Sequence, residues 1–211
     1  FTNNKADYSS AISYTPQDIS QIGDTKANIT YCNFENNIAY VNATVRFDSS
    51  YGNIKYCNFT NNVAGSAAGI YVYIYDVNIE QCRFDSNNAT SGNGGAIFID
   101  RHPTLSYNNA KILYCDFDDN TAKGNGGAVY MLTNDNTVSN CDFTGNTAND
   151  GGAVYSTGQN EVIIYSNFTS NHALNEGGAV FLTGVNSDIS YSNFIDNTAV
   201  NNGGAVVLDG D

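Results

Sequence analysis

Cysteine is the most reactive residue type in this chain, so its spacing is the first sign of possible chemistry. All five cysteines stand at the same position of a recurring pattern, at Cys32, Cys57, Cys82, Cys115 and Cys141. If these residues stack in parallel register, their side chains point the same way rather than towards one another, and an odd number cannot pair completely. No Cys-x-x-Cys motif or neighbouring histidine completes a zinc site. We therefore expect small buried thiols that fill a core.

Carboxylates could hydrolyse a polysaccharide, because glycoside hydrolysis requires two acidic side chains that flank the bond. The repeat register places one such pair, Asp48 and Asp100, on a common face with Tyr73 between them. No nucleophile–base motif occurs. The acidic segments 118–119 and 134–136 contain calcium-binding oxygens, but they lack an ordered ligand spacing. We expect solvated acidic corners, no catalytic residue, no metal site and no resident cofactor, with calcium as a weak alternative.

The positions of these cysteines and carboxylates in the fold are set by a sequence motif that repeats along the chain. The motif Phe-x-x-Asn-x-Ala occurs eight times, and its phenylalanines follow at steps of 33, 25, 25, 33, 26, 25 and 26 residues. In seven copies a Cys or Ser stands two residues before the phenylalanine, and an Ile or Val stands three residues before that. A string such as Gly-Gly-Ala-Val comes after the asparagine, with departures that begin at Ser9, Asn42 and Ala67. The phenylalanines are Phe1, Phe34, Phe59, Phe84, Phe117, Phe143, Phe168 and Phe194.

The residue pattern within each repeat predicts an all-β fold, because apolar residues recur with a period of two and helical stripes are absent. A unit of about 25 residues with two or three short strands fits one coil of a parallel β-helix, and the copies predict about eight coils. Coils stack about 4.8 Å apart, so Phe lies on Phe and Ile on Ile inside a narrow tube. We expect the asparagines at a bend, where they adopt left-handed backbone and hydrogen-bond to one another. The glycine pair allows a sharp turn that a side chain would obstruct.

The same motifs indicate a family. The pairing of Gly-Gly-Ala-[Ile/Val] with Phe-x-x-Asn resembles the repeats of chlamydial polymorphic membrane proteins, and it is similar to adhesin-like β-helix proteins on the surface of methanogenic archaea and some bacteria. The resemblance extends over essentially the whole chain, although the first three copies depart from Gly-Gly-Ala. It implies a right-handed, single-stranded parallel β-helix, an extracellular cell-surface location, and adhesion to a glycan or protein of another cell.

Charge and hydropathy limit the partners. The chain has 8 Lys and Arg against 21 Asp and Glu, a formal charge of −13. Nucleic acid and anionic membrane surfaces require a basic face, so neither is an expected partner. No run of about 18 apolar residues is present to span a membrane. The chain begins on the Phe of one copy and ends just after the Gly-Gly-Ala-Val of another, and we interpret residues 1–211 as one monomeric β-helix domain from a longer solenoid.

Two insertions predict where a ligand binds. They span residues 15–27 and 100–110, leave the same corner three coils apart, and contain the two prolines. Loops on a rigid scaffold commonly bind ligands. Between them runs an outward column that is mostly aromatic, formed by Ser13, Arg46, Tyr71, Phe98, Tyr130, Tyr155, Phe181 and Val207.

Aromatic rings with nearby charges suit a sugar or a protein partner. The alternative is that cross-strand stacking of these rings only stabilises a sheet. His172 occupies an ordinary corner position, whereas His102 lies in the second insertion. The predicted ligand-binding residues are Arg46, Tyr71, Tyr73, Tyr75, Asp100, Arg101 and His102.

These features favour a non-catalytic, adhesin-like surface protein. Two other functions stay open: a polysaccharide lyase or glycoside hydrolase on the same scaffold, and a passive stalk that displays another domain. Signals for N-glycosylation, Asn-x-Ser/Thr, occur at Asn28, Asn42, Asn58, Asn88 and Asn167.

Overall fold

Short strands joined by tight corners form the regular structure of this chain. The computed structural model describes residues 1–15, 26–48, 51–73, 76–101 and 109–210. Thirty parallel strands and no helix occur in these ranges, so no helix there could cross a membrane. The strands belong to four sheets, and each coil contributes one strand to each sheet in turn.

Sheet 1 contains β1 (Lys5–Ala6), β5 (Ile38–Ala39), β9 (Val63–Ala64), β13 (Asn88–Ala89), β17 (Thr121–Ala122), β21 (Thr147–Ala148), β25 (His172–Ala173) and β29 (Thr198–Ala199). Sheet 2 contains β2 (Ser9–Tyr14), β6 (Ala43–Phe47), β10 (Ile70–Tyr73), β14 (Ile97–Asp100), β18 (Val129–Met131), β22 (Val154–Ser156), β26 (Val180–Leu182) and β30 (Val206–Leu208). Sheet 3 contains β3 (Lys26–Thr30), β7 (Tyr51–Lys55), β11 (Asp76–Glu80), β15 (Ala110–Leu113), β19 (Thr137–Ser139), β23 (Val162–Ile164) and β27 (Asp188–Ser190). Sheet 4 contains β4 (Asn33–Glu35), β8 (Asn58–Thr60), β12 (Arg83–Asp85), β16 (Asp116–Asp118), β20 (Asp142–Thr144), β24 (Asn167–Thr169) and β28 (Asn193–Ile195).

This order confirms the predicted parallel β-helix and refines the coil. Strands β1–β28 complete seven coils, and β29 and β30 belong to the next one. Each coil has four strands rather than the predicted two or three. The strands of sheet 1 are only two residues long, too short to show a period in the sequence, so the prediction missed them.

The phenylalanines of the repeat form one continuous stack along the inside of the tube. Neighbouring ring centroids lie 4.6–4.9 Å apart, and neighbouring ring planes differ by at most 9°. Ile54, Ile79 and Ile112 stack in the same way on sheet 3 and are fully buried. Burial of each such side chain contributes roughly 1.5–3 kcal/mol, so these columns supply much of the hydrophobic stabilisation.

A ladder of asparagines runs beside the phenylalanine stack. In the middle of the ladder, Asn120 Nδ2 donates to Asn146 Oδ1 at 3.0 Å and to the Phe84 carbonyl at 3.0 Å, while Asn120 Oδ1 accepts from the backbone N and the Nδ2 of Asn87. The same side-chain bond joins every neighbouring pair in the ladder, which consists of Asn4, Asn37, Asn62, Asn87, Asn120, Asn146, Asn171 and Asn197. The predicted asparagine contacts between coils are therefore confirmed.

The left-handed backbone, however, does not fall on the ladder asparagines. It falls on the residue before each of them, for example Asn36 (φ 54°), Ser86 (φ 55°) and Gly145 (φ 68°). The ladder side chain must point into the tube to reach its partners, so the preceding residue makes the bend. A second left-handed position in each coil precedes the Cys or Ser, and tyrosine occupies it in five coils, at Tyr31, Tyr56, Tyr114, Tyr165 and Tyr191.

The two glycines of Gly-Gly-Ala serve different purposes. The first has a left-handed backbone, with φ of 68° at Gly126. A Cβ on the second, Gly127, would lie 2.1 Å from the Gly152 carbonyl oxygen in the next coil, so only glycine fits there. Ala67 keeps the left-handed turn with φ 48°, whereas the copies at Ser9 and Asn42 do without it. The corners of the first two coils thus differ from the rest.

The cysteines are free thiols, and four of the five are buried, as predicted. Each Sγ donates to the carbonyl oxygen two residues earlier, for example from Cys115 to Leu113 at 3.2 Å. Ser166 makes the same bond to Ile164 at 3.1 Å, which explains why serine replaces cysteine in the last coils. Burial raises the pKa of the Cys115 thiol, so it stays protonated and unreactive.

The ladder makes a testable prediction about stability. Replacement Asn120→Ala removes two donated bonds. It also leaves the backbone N and one Nδ2 N–H of Asn87 without an acceptor, while the other Nδ2 N–H still donates to the Phe59 carbonyl. We expect a loss of about 3–5 kcal/mol in the free energy of unfolding, measured by urea denaturation.

The matched control is Asn193→Ala, which removes one exposed bond to Asn167. Its loss should stay below about 1 kcal/mol. Equal losses for the two variants would contradict the role assigned to the buried ladder.

Candidate functional site

The outward face of sheet 2 carries a continuous stripe of stacked rings. Tyr71 meets Phe98 edge-on at 5.2 Å, Phe98 meets Tyr130 at 4.9 Å, and Tyr130 and Tyr155 are stacked at 5.3 Å. We call Tyr71, Phe98, Tyr130, Tyr155 and Phe181 the aromatic stripe. The first four of these rings are half-buried, whereas Phe181 is buried, with 7% of its surface exposed. Cross-strand stacking therefore stabilises this sheet, and the ring surface that is left over can still contact a ligand.

Charged groups surround the first ring of the stripe. The Arg46 guanidinium lies 5.6 Å from the Tyr71 ring centroid, and its Nε lies 2.8 Å from Asp48 Oδ2. The Tyr71 hydroxyl donates to Asp100 Oδ2, and the Arg101 backbone N donates to Asp100 Oδ1 at 2.8 Å. Burial, reinforced by the hydrogen bond to Asp100, raises the pKa of the Tyr71 hydroxyl, so it remains a donor across the physiological range.

The structure brings five of the seven predicted ligand-binding residues to one face. Tyr73 pairs with Asp100 across β10 and β14, in the same register that aligns Tyr71 with Phe98 and with Arg46. Tyr75 and His102 lie outside the described residues, as does most of each insertion, 15–27 and 100–110. We call Arg46, Tyr71, Tyr73, Asp100 and Arg101 the polar end of the stripe.

The carboxylate pair considered for hydrolysis is engaged in contacts within the protein. Asp48 is 3% exposed and binds Arg46, and Thr15 Oγ1 lies 3.3 Å from its Oδ2. Burial raises the pKa of Asp48, and Arg46 opposes that rise. Asp100 accepts from Tyr71 and lies two coils away, about 10 Å at the usual strand spacing. The two carboxylates thus hold their own neighbours in place.

The acidic segments considered for calcium do not converge on one point. Asp118 binds Arg83 at 3.2 Å, and Asp119 turns the next corner with a left-handed backbone. Asn134 accepts from the Gln159 backbone N at the surface, whereas Asn136 points inward and is buried. Within the described ranges, no group of three or more His, Cys, Asp or Glu side chains could hold a metal ion.

Glu161 is a buried carboxyl that the repeat pattern did not reveal. It is 1% exposed, its Oε1 accepts from Asn136 Nδ2 at 2.9 Å, and its Oε2 has no partner among the described residues. Burial raises the pKa of Glu161 to about 8, although the bond from Asn136 opposes the rise. The folded protein therefore keeps this carboxyl protonated at neutral pH. The signal missed in the sequence was a glutamate at the inward position that Val77 and Ala110 occupy in earlier coils.

The remaining singled-out residues lie at the surface. His172 Nδ1 is 2.9 Å from Thr198 Oγ1 on sheet 1, in agreement with an ordinary corner position. Four of the five glycosylation signals have an exposed asparagine, at Asn28, Asn58, Asn88 and Asn167, and Asn42 is half-buried.

Comparison with known families supports the repeat assignment. Residues 81–100, 114–131 and 140–157 match the Chlamydia polymorphic membrane protein repeat, which is roughly a quarter of the chain. Each matched segment begins at the left-handed residue before the cysteine, passes the stacked phenylalanine and the ladder asparagine, and ends in or just after the strand of sheet 2. The predicted resemblance to polymorphic membrane protein repeats is thereby confirmed. Neither the curated proteins nor the solved structures gave a significant match.

Glu161 makes stability depend on pH. An unfolded chain releases this proton near the usual value of 4.5, whereas the folded protein retains it until about 8. The raised pKa therefore lowers the free energy of unfolding by an amount that is absent below pH 4.5, grows as the pH rises, and is complete above 8. This loss of stability is the cost of burying the carboxyl. Replacement Glu161→Gln removes this cost and should stabilise the protein by on the order of 3 kcal/mol at pH 7 and by little at pH 4.

Urea denaturation at both pH values tests this expectation. Glu35→Gln, at an exposed position, is the control and should change stability little at either pH. A Glu161→Gln effect of the same size at pH 4 and pH 7 would show that the carboxyl is not held protonated.

Proposed function

We propose that this chain is part of an adhesin-like cell-surface protein and that it binds a glycan or a protein of another cell without catalysing a reaction. Three segments with the repeat of a membrane protein family support a surface location. An uninterrupted array of coils also suits a protein that extends away from a cell, because a solenoid lengthens by adding coils and presents a long side face.

The polar end of the stripe is the observation on which this function rests. A guanidinium, two tyrosines and a carboxylate stand on adjacent strands of one rigid sheet, held by the bonds Arg46–Asp48 and Tyr71–Asp100. A tyrosine ring can pack on the apolar face of a sugar or on a protein side chain, while the charged groups bind hydroxyls or backbone amides. Because the strands already fix these residues, binding costs little conformational entropy.

Two other functions compete with adhesion. A polysaccharide lyase or hydrolase would require a carboxyl group that can exchange a proton with the substrate. Turnover of a polysaccharide that Asp100→Asn abolishes would favour an enzymatic function. A passive stalk is favoured by the later coils, where Tyr130, Tyr155 and Phe181 stack on one another and Phe181 is buried.

The double variant Tyr73→Ala/Arg101→Ala tests the adhesin function. On an array of glycans and on intact cells, we expect at least a tenfold loss of binding, because ring contact and a surface cation are both removed. The melting temperature should change little, since Tyr73 and Arg101 belong to neither the phenylalanine stack nor the asparagine ladder.

Tyr191→Ala/Lys123→Ala likewise removes one tyrosine and one cation, at exposed positions that are not part of the polar end of the stripe. This control variant should bind like the unmodified protein. If no glycan and no cell binds the unmodified protein, the stalk becomes the better account. If both double variants lose binding equally, the polar end is not the binding site.

A further inference from the structure

A second candidate site lies on a different face, the outside of sheet 3. A cleft of about 440 Å³ crosses β3, β7, β11 and β15, the strands of four consecutive coils. A volume of this size is within the usual range for a ligand site. Its outward lining consists of two columns, one with Lys26, Tyr51, Asp76 and Asn109 and the other with Asn28, Asn53, Asn78 and Lys111. We call this the sheet 3 cleft.

The amide groups of the cleft are incompletely hydrogen-bonded. Asn53 Nδ2 donates to Asn28 Oδ1 at 2.8 Å, but Asn78 donates to Glu80 instead of continuing this row. Asn78 Oδ1 and Asn109 Oδ1 are buried and accept no hydrogen bond from any described residue. A buried acceptor without a donor costs about 1–3 kcal/mol. Neither oxygen has surface that a ligand can reach, whereas the exposed Asn28 and the half-buried Asn53 line the cleft and can bind the hydroxyl groups of a ligand.

Lysines are concentrated on this face of an acidic protein, and the acidic residues on the same four strands are Asp76 and Glu80. The chain has only eight Lys and Arg in total, and three of them, Lys26, Lys55 and Lys111, point outward from sheet 3. Lys55 is neutralised by Glu80, with Nζ 2.7 Å from Oε2. Lys26 and Lys111 form no ion pair with any residue in the described ranges. Both ammonium groups are thus available to a ligand.

The two available lysines stand at opposite ends of the cleft. Lys26 is on the first of its four strands and Lys111 on the fourth, three coil spacings or roughly 14 Å apart along the helix axis. Between them lie the amides and Asp76, which are groups that can bind hydroxyls. The pattern is cation, polar groups, cation, and it matches a chain of sugars with carboxylates spaced along it.

We propose that the sheet 3 cleft binds an acidic oligosaccharide whose sugars include uronic acids. Lys26 and Lys111 bind carboxylates near the two ends of the bound segment, and the asparagines and Asp76 bind the hydroxyls between them. The oligosaccharide lies along the helix axis, across the strands. This site is separate from the polar end of the stripe, so the two can succeed or fail independently.

The test uses the whole chain, produced without glycosylation because Asn28 belongs to a glycosylation signal. Binding is measured by titration calorimetry against a panel of hexasaccharides of galacturonate, mannuronate and guluronate and of a glucuronate-containing repeat, together with their methyl esters. We expect at least one uronate to bind, its methyl ester to bind at least tenfold more weakly, and added salt to weaken the affinity.

Variants then assign the site. Lys26→Ala/Lys111→Ala should lower the affinity at least tenfold at an unchanged melting temperature, and Lys26→Arg/Lys111→Arg should retain most of it. Lys5→Ala/Lys123→Ala makes the same charge change elsewhere and should have little effect. Tyr73→Ala/Arg101→Ala should leave uronate binding intact, which distinguishes the sheet 3 cleft from the polar end of the stripe.

Three results would overturn the proposal. The first is no binding to any uronate of the panel. The second is equal binding of acid and methyl ester, which would show that the carboxylates are not recognised. The third is equal loss in the two lysine-to-alanine pairs, which would show a general effect of charge rather than a site.

Discussion

A buried asparagine side chain has two N–H groups and a carbonyl oxygen, and inside an apolar tube each of these groups must find a partner in the protein. The ladder satisfies all of them: each Nδ2 donates to the next asparagine and to a phenylalanine carbonyl, and each Oδ1 accepts from the side chain and backbone N of the preceding one. A buried amide group without a hydrogen-bond partner lowers the free energy of unfolding, and a shift of one coil along the next would break these bonds. The coils therefore cannot slip relative to one another. Loop length does not matter to this constraint, because the bond between Asn87 and Asn120, 33 residues apart, is as short as those between asparagines 25 residues apart.

A fixed register inside the tube also aligns the side chains outside it. Residues at equivalent positions of successive coils become columns, and a surface is therefore built from one column or two rather than from scattered loops. The interior hardly varies from coil to coil, whereas the outer columns do. Both candidate surfaces lie mostly in the first four coils, where outward positions hold charged residues and long tyrosines. Farther along sheet 3 the column of Asn28, Asn53, Asn78 and Lys111 continues with Thr137 and Val162, which are less suited to binding.

The fold was predictable from the sequence because stacking requires the same residue in every coil. Phe, Asn, Cys and the glycine pair each recur, and their contacts follow from that recurrence. The left-handed residue before each ladder asparagine could not be found in this way, because Asn, Ser, Asp and Gly all occur there and no letter repeats. Tyrosine occupies the other left-handed corner in five coils, although bulky residues rarely adopt left-handed backbone. Residue propensity therefore did not predict this corner.

The candidate sites depended on single residues and were predicted less completely. The outward direction of Arg46, Tyr71, Tyr73 and Asp100 followed from alternation along a strand, but the bond from Tyr71 to Asp100 needed side-chain positions. The sheet 3 cleft was not found, because its two lysines come from distant coils and mean nothing until the strands are aligned. Glu161 escaped attention for a similar reason, since a lone glutamate in an acidic chain is usually exposed.

Hydrogen exchange of the asparagine side-chain amides, followed by NMR, measures the ladder most directly. Both Nδ2 protons of the interior ladder residues are hydrogen-bonded and buried, so they should exchange only on global unfolding and as slowly as the most protected backbone amides. Asn4 and Asn197, at the two ends of the ladder, should exchange faster, and exposed asparagines such as Asn193 faster still. If the interior ladder amides exchange as fast as Asn193, the buried ladder does not exist and the register it imposes on every outer surface is lost with it.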